Sequence, residues 1–236
     1  MPEPEKRGLS DLADDTLGFG ARELATARDL VLRPGIVLAA WMQHGPEGGG
    51  AYARPLRLYL AMNAVLMLML FLRGGAGFLL DPLPTEALAE LAGRSGKSVE
   101  AFVADADNWM SFVMVPLLAA LYAVAAAPLL RWWDAENLGW RRGFRSAFAW
   151  LCAWTILCLP LGWWAYGQGP TQALVAFALF GLSLIAFLRM GRGRWYRSAP
   201  VGVIKGVALT VAVLAAGLIG GNLVIGIGLL AALYTP

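Results

Sequence analysis

Several groups of residues in this chain have the types and spacing to do chemistry. Gly96-Lys97-Ser98 has the ending of a phosphate-binding loop, where backbone amides cradle a phosphate and lysine neutralises it. That loop needs another glycine five residues before Gly96 and a strand ahead of it, but Leu91 stands there, so the motif is rejected. Asp105, Asp107 and Asn108 offer oxygen donors that suit a hard cation; a solvated acidic helix face is the competing reading. Arg33, Arg54 and Arg57, with Tyr59 nearby, are candidates for lipid or phosphate recognition, because the guanidinium fork matches phosphate oxygens.

Other familiar chemistries are missing from the sequence. His44 is the only histidine, so no histidine-based metal site can be assembled from one chain, and it reads as a solvated loop residue. Cys152 and Cys158 are six residues apart in one apolar stretch, on different faces of a helix, and read as small packing residues. Met62, Met67 and Met69 read as apolar filling. There is no His-Glu-x-x-His pair and no Gly-x-Ser-x-Gly elbow. No metal and no cofactor is expected.

These residues must be positioned by membrane-spanning helices. Of 236 residues, 58% are hydrophobic and 15% charged, with a mean hydropathy of +0.60; soluble domains carry roughly 25% charged residues. A spanning helix needs about 20 apolar residues. Five stretches qualify, at about 56–72, 111–130, 147–166, 171–188 and 206–234. None contains Asp or Glu, which argues against a carboxylate proton relay. The fold class expected is therefore all-α, an integral membrane bundle of about five helices.

Basic residues set the expected orientation. Counting Arg57, at the edge of the first span, with the segment before it, sixteen of the nineteen Lys and Arg fall in alternate segments, before the first span, between the second and third, and between the fourth and fifth. The positive-inside rule puts those segments in the cytoplasm, with the N-terminus inside and the C-terminus outside. The first 33 residues mix both charge signs and hold no long apolar run, so the first span is expected to act as an uncleaved anchor. The pI near 9.1 is read as basic residues beside anionic lipid, with membrane lipids and no nucleic acid as partners. Trp132, Trp133, Trp140, Trp163, Trp164, Tyr166, Trp195 and Tyr196 cluster at span ends and are expected to form interfacial belts.

Two segments outside the spans are distinctive. Residues 1–54 form a cytoplasmic, interfacial segment ahead of a transmembrane domain over 55–236. Arg22, Thr26, Asp29 and Arg33 make a polar stripe at helical spacing, opposite Leu17, Ala21, Leu24, Ala27 and Val31; such a helix lies along a membrane surface. Arg33-Pro34-Gly35 breaks it, and a short helix over Ile36 to Met42 follows, ending at the Gly45-Pro46 turn. The outer loop, 74–110, predicts a helix from Thr85 to Ala92 with Gly93 as its stop. It also predicts a second helix, capped by Ser98, that runs into the second span.

Within the last span, Gly202 and Gly206, then Gly217 and Gly221, are four residues apart. Such ridges allow close helix packing, inside the bundle or in a homo-oligomer. Asn222 is the deepest polar residue and Asn63 is its counterpart in the first span; both are expected to avoid lipid. With Asp105, Asp107 and Asn108 they outline a candidate polar pathway. Lys205 is expected to snorkel to the cytoplasmic surface.

Two stretches carry a resemblance. Leu24-Ala25-Thr26-Ala27-Arg28-Asp29-Leu30, Arg33-Pro34-Gly35 and Tyr52-Ala53-Arg54-Pro55-Leu56-Arg57-Leu58-Tyr59, and later Arg194-Trp195-Tyr196-Arg197 with Ala199 and Lys205, resemble a bacterial family of multipass membrane proteins of unknown function. The resemblance implies a fold and a bacterial inner membrane, and no activity. Many members begin with a zinc ribbon, for which this chain has no cysteines, and often carry a Glu-His pair where this chain reads Phe144-Arg145-Ser146-Ala147.

Three functions are compatible with this reading. The first is a non-enzymatic protein that binds lipid or a membrane-complex partner. The second is a small-solute or ion transporter or channel, which five spans could form only as an oligomer. The third is a lipid-modifying enzyme, for which no nucleophile or base stands out.

Overall fold

The computed structural model describes residues 20–43, 51–136, 139–165 and 170–235. Leu17, His44, the Gly45-Pro46 turn and Tyr166 lie outside the described residues. Among the described residues, the eight elements longer than one turn are all α-helices: α1 (Ala21–Leu32), α2 (Pro34–Gln43), α3 (Pro55–Leu72), α4 (Thr85–Ser95), α5 (Val99–Trp133), α6 (Trp140–Ala165), α7 (Pro170–Gly191) and α8 (Ala199–Tyr234). The fold is all-α, and α3, α5, α6, α7 and α8 are long and apolar enough to cross a membrane.

The helix boundaries follow local chemistry. Pro34 opens α2 and Pro55 opens α3, at first-turn positions where a missing amide costs nothing. Thr85 is the first helical residue of α4 rather than its cap, and the helix runs past Gly93 to end at Gly96, whose φ of +73° suits glycine. Gly93 and Arg94 continue the helix, so the expected stop fell one turn early. Ser98 caps α5 by accepting from the Ala101 amide at 3.3 Å, and α5 then runs unbroken through the second span.

The chain forms two compact units. One comprises Met1–Met62, Ala127–Leu157 and Leu182–Val207. Its core is aromatic: Trp41, Trp150, Trp195 and Phe187 are each at most 1% exposed. Ala147, Ala149, Cys152 and Ala153 bury the inward face of α6, small side chains that let helices approach closely where lipid supplies no hydrophobic drive. Trp195 and Tyr196 belong to this core, stacked on Phe187 at 5.3 and 5.8 Å, and so are not belt residues; Trp132, Trp140, Trp163 and Trp164 are exposed. Lys205 does not snorkel freely. It donates to the Trp195 carbonyl at 2.7 Å and sits 5.5 Å from the Trp133 ring.

The other unit comprises Asn63–Ala126, Cys158–Gly181 and Ala208–Pro236. Leu70, Leu80, Phe102, Met110, Val115 and Val224 build its core. A tight turn at Gly74 and Gly75, with φ of +95° and +87°, closes α3. A Cβ on Gly75 would fall 2.6 Å from the Asp107 carboxylate, so only glycine fits the approach.

Candidate functional site

The site is built outward from one backbone residue, Ala53. Thr26 on α1 is fully buried; its hydroxyl donates to the Arg22 carbonyl at 2.7 Å and accepts from the Ala53 amide at 2.9 Å. On the other side of the same residue, the Trp41 indole donates to the Ala53 carbonyl at 2.8 Å. The Tyr52 hydroxyl donates to Asp29 at 3.1 Å, and the Cys152 thiol on α6 donates to the Pro55 carbonyl at 3.3 Å. The start of α3 is thus held by α1, α2 and α6 through hydrogen bonds that buried backbone groups require.

Within α1, Glu23, Thr26, Asp29 and Leu30 are buried, while Leu24 is 61% exposed. The middle of the polar stripe, Thr26 and Asp29, turns toward the protein because its partners are Ala53 and Tyr52; Arg22 and Arg33 at its ends stay exposed, as do Ala21 and Leu24 on the apolar side. Burial alone would raise the Asp29 pKa. Its hydrogen bonds from Arg28 and Tyr52 and the charges of Arg28 and Arg33 outweigh that and hold it below the usual carboxylate value. Burial, then the bond to Asp29, raises the Tyr52 phenol above 10.

Around this scaffold lies an open recess of about 1180 Å³. Arg22, Arg54, Arg57, Arg141 and Arg145 line it, with Glu23 as the one carboxylate among the described lining residues. Leu56, Leu60, Trp140, Phe144 and Phe148 form its apolar wall. Arg57 lies 3.2 Å from Glu23, and Arg145 donates to the Trp41 carbonyl at 3.2 Å. Arg54 and Arg141 carry no ion pair or side-chain hydrogen bond among the described residues. A recess with a guanidinium rim and an aromatic wall can hold an amphiphile with an anionic head. Among the described residues, no serine, cysteine or histidine lines it.

Of the predicted phosphate ligands, Arg54 and Arg57 meet in this recess. Tyr59 does not line it; it is 3% exposed, with its ring 5.6 Å from that of Phe148. Arg33 lines a separate hollow. Sequence reasoning missed Glu23, Arg141 and Arg145 as members of the recess. Arg141 and Arg145 had been counted only as topogenic charge, yet their i, i+4 spacing places them on one face. It also missed Asp134, whose side chain is fully buried and takes two hydrogen bonds from Arg194, one at 3.2 Å.

The polar-pathway candidates have other commitments. Asp105 pairs with Lys97 at 2.6 Å, and Lys97 also donates to the Ala232 carbonyl. The same pairing occupies the lysine of the rejected phosphate-loop motif. Asp107 accepts from the Ala76 amide at 2.6 Å and from Ser111 at 3.1 Å, bonds that fix the turn after α3. Asn108 is exposed. Asn222 is exposed and donates to the Leu218 carbonyl of its own helix at 2.8 Å, while Asn63 is half-buried. Among the described residues, no group of three His, Cys, Asp or Glu could hold a metal.

The glycine ridges divide. A Cβ on Gly202 would strike Tyr196 at 2.6 Å, on Gly206 Leu184 at 2.5 Å, and on Gly217 Tyr122 at 3.0 Å. Gly221 has nothing within 4 Å; the close approaches beyond Gly217 are made by Gly220 to Leu118 and Gly228 to Met110.

No family model, characterised protein or solved structure matches this chain.

Proposed function

We propose that this chain is a five-span protein of a bacterial inner membrane, related to the multipass family its sequence resembles. Its N-terminus lies in the cytoplasm and its C-terminus in the periplasm. On this reading it binds anionic lipid without altering it, as part of organising or assembling a membrane complex.

The observation that supports lipid binding is the recess itself. Five guanidiniums and one carboxylate surround an aromatic and aliphatic wall, and each of the charged positions lies in or at the edge of a segment that the positive-inside rule assigns to the cytoplasmic side. Arginines so grouped repel one another unless an anion joins them. The inner leaflet supplies anions bearing hydrocarbon tails. The lack of serine, cysteine or histidine among the described lining residues favours binding over lipid modification, and the commitments of Asp105, Asp107 and Asn222 give the transport reading no support.

Native mass spectrometry of the full chain, purified in mild detergent from a membrane of mixed lipids, tests the proposal. Retained lipid enriched in anionic heads is the expected result. Retention in proportion to the membrane's composition would contradict it.

A further inference from the structure

Arg33 stands apart from Arg54 and Arg57 in a hollow of its own, about 520 Å³ in volume, where α1 passes into α2 and where α7 ends. Arg189, Arg192 and Tyr196 line it with Arg33, beside Ile36 and Leu188. No carboxylate is among its described lining residues. The three arginines come from two chain segments 157 residues apart, joined by the Arg189 guanidinium donating to the Leu32 carbonyl at 3.0 Å.

The backbone under each arginine is fixed. The Arg33 amide donates to the Asp29 carbonyl at 2.6 Å, and the Arg33 carbonyl accepts from Ile36 at 3.0 Å. Arg192 bridges to Tyr196 across a turn in which Gly193 takes φ +83° and donates to the Tyr196 carbonyl at 2.9 Å. The Tyr196 hydroxyl is tied to the Leu188 carbonyl. Neither Arg33 nor Arg192 makes a side-chain hydrogen bond or ion pair among the described residues. Two unpaired guanidiniums and a third held to the backbone are therefore presented to one space on rigid supports, which lowers the ordering cost of a ligand. A planar fork with five N–H donors suits a tetrahedral oxyanion far better than it suits a neutral ligand.

We infer that this hollow is a second anion site, separate from the larger recess, and that it takes a phosphate group. Leu32 and Ile36 are 57% and 55% exposed beside it, so the phosphate can be that of a lipid head whose chains lie along them, or a free phosphate. Positive-inside topology accounts for arginines on this side of a membrane, but not for three in one hollow with no carboxylate among its described lining residues.

The test uses the full chain in nanodiscs. In one arm the bilayer is phosphatidylglycerol diluted in phosphatidylcholine, and lipid retention is read by native mass spectrometry. In the other the bilayer is phosphatidylcholine alone, and added inorganic phosphate is followed by ³¹P line broadening. The Arg33→Gln/Arg192→Gln double variant should weaken binding about tenfold in at least one arm, the loss expected for a charge-assisted pair, and the affected arm identifies the source. Arg54→Gln/Arg141→Gln should leave binding in the phosphate arm intact, and in the lipid arm its loss should add to that of the Arg33/Arg192 variant, which separates this site from the larger recess. Arg33→Lys/Arg192→Lys, with an unchanged unfolding midpoint, should keep part of the affinity and controls for folding. Wild-type binding by the Arg33/Arg192 glutamine variant in both arms would overturn the inference, as would a loss of phosphate binding in the Arg54/Arg141 variant or lipid-arm losses that fail to add when the two variants are combined.

Discussion

Glu23 lies 3.2 Å from Arg57, inside a recess otherwise lined by positive charge, and its own side chain is only 6% exposed. The same carboxylate accepts from the Gly20 amide at 3.0 Å. It is therefore both a helix-start anchor and an internal counter-ion to Arg57.

Glu23→Gln should strengthen anionic lipid binding. The amide can still accept from Gly20 but no longer neutralises Arg57, so affinity for phosphatidylglycerol should rise about fivefold, roughly 1 kcal/mol. Titration of short-chain phosphatidylglycerol into the detergent-solubilised protein measures this. Weaker binding would mean that Glu23 shapes the recess rather than competes within it.

Thr26 holds the start of α3 through a single hydroxyl. Thr26→Val keeps the shape but leaves the buried Ala53 amide without its acceptor, and should cost about 1–3 kcal/mol. Thr26→Ser should cost far less. Unfolding midpoints of the two variants in detergent distinguish them; equal midpoints would remove the hydroxyl's role.

In α8 the open and closed glycines should separate cleanly. A Cβ on Gly228 would fall 2.3 Å from Met110 and 2.9 Å from the Ala106 carbonyl oxygen, whereas Gly221 has open space. Gly228→Ala should destabilise by about 1–3 kcal/mol, and Gly221→Ala should stay within about 1 kcal/mol of the parent. The same unfolding assay decides between them.

The Arg28–Asp29–Tyr52 contact has a defined pH window. The Asp29 pKa is lowered in the fold, so its stabilisation is complete above the unfolded value of 3.8 and is lost as pH falls through the lower folded value. Tyr52 is raised above 10.0, so its share holds below pH 10 and is lost as pH climbs through the folded value. The midpoint difference between the parent and Asp29→Asn should be constant from pH 5 to about 8 and shrink toward zero below 3.8. A difference that persists in acid would contradict the ionised contact.

Much of this arrangement was legible in the sequence, because length and charge segregation decide what can lie in hydrocarbon. Uninterrupted apolar runs marked α3, α5, α6, α7 and α8, and the Arg33-Pro34 and Arg54-Pro55 breaks marked where α2 and α3 begin. What periodicity could not show was which way α1 faces. Its stripe of Arg22, Thr26, Asp29 and Arg33 reads as the polar side of a membrane-surface helix, but the partners that bury Thr26 and Asp29 are Ala53 and Tyr52, more than twenty residues on. The grouping of arginines was hidden for the same reason. Arg54 and Arg57 share a helix start, but Arg141 and Arg145 join them only through the packing of α6, and Arg33 leaves them because the helix break at Pro34 carries it toward the end of α7. Asp107 reads in the sequence as part of a solvated acidic face or as a cation donor, and neither reading shows that it holds the Ala76 amide in the turn after α3.

The most direct test of the central claim compares the parent chain with Arg54→Gln/Arg141→Gln in nanodiscs of matched size, one set containing phosphatidylglycerol and one only phosphatidylcholine. The parent should retain phosphatidylglycerol in preference to phosphatidylcholine, and the double variant should lose about tenfold of that preference while keeping its unfolding midpoint. An unchanged preference in the variant, or none in the parent, would contradict the assignment of the recess as an anionic-lipid site.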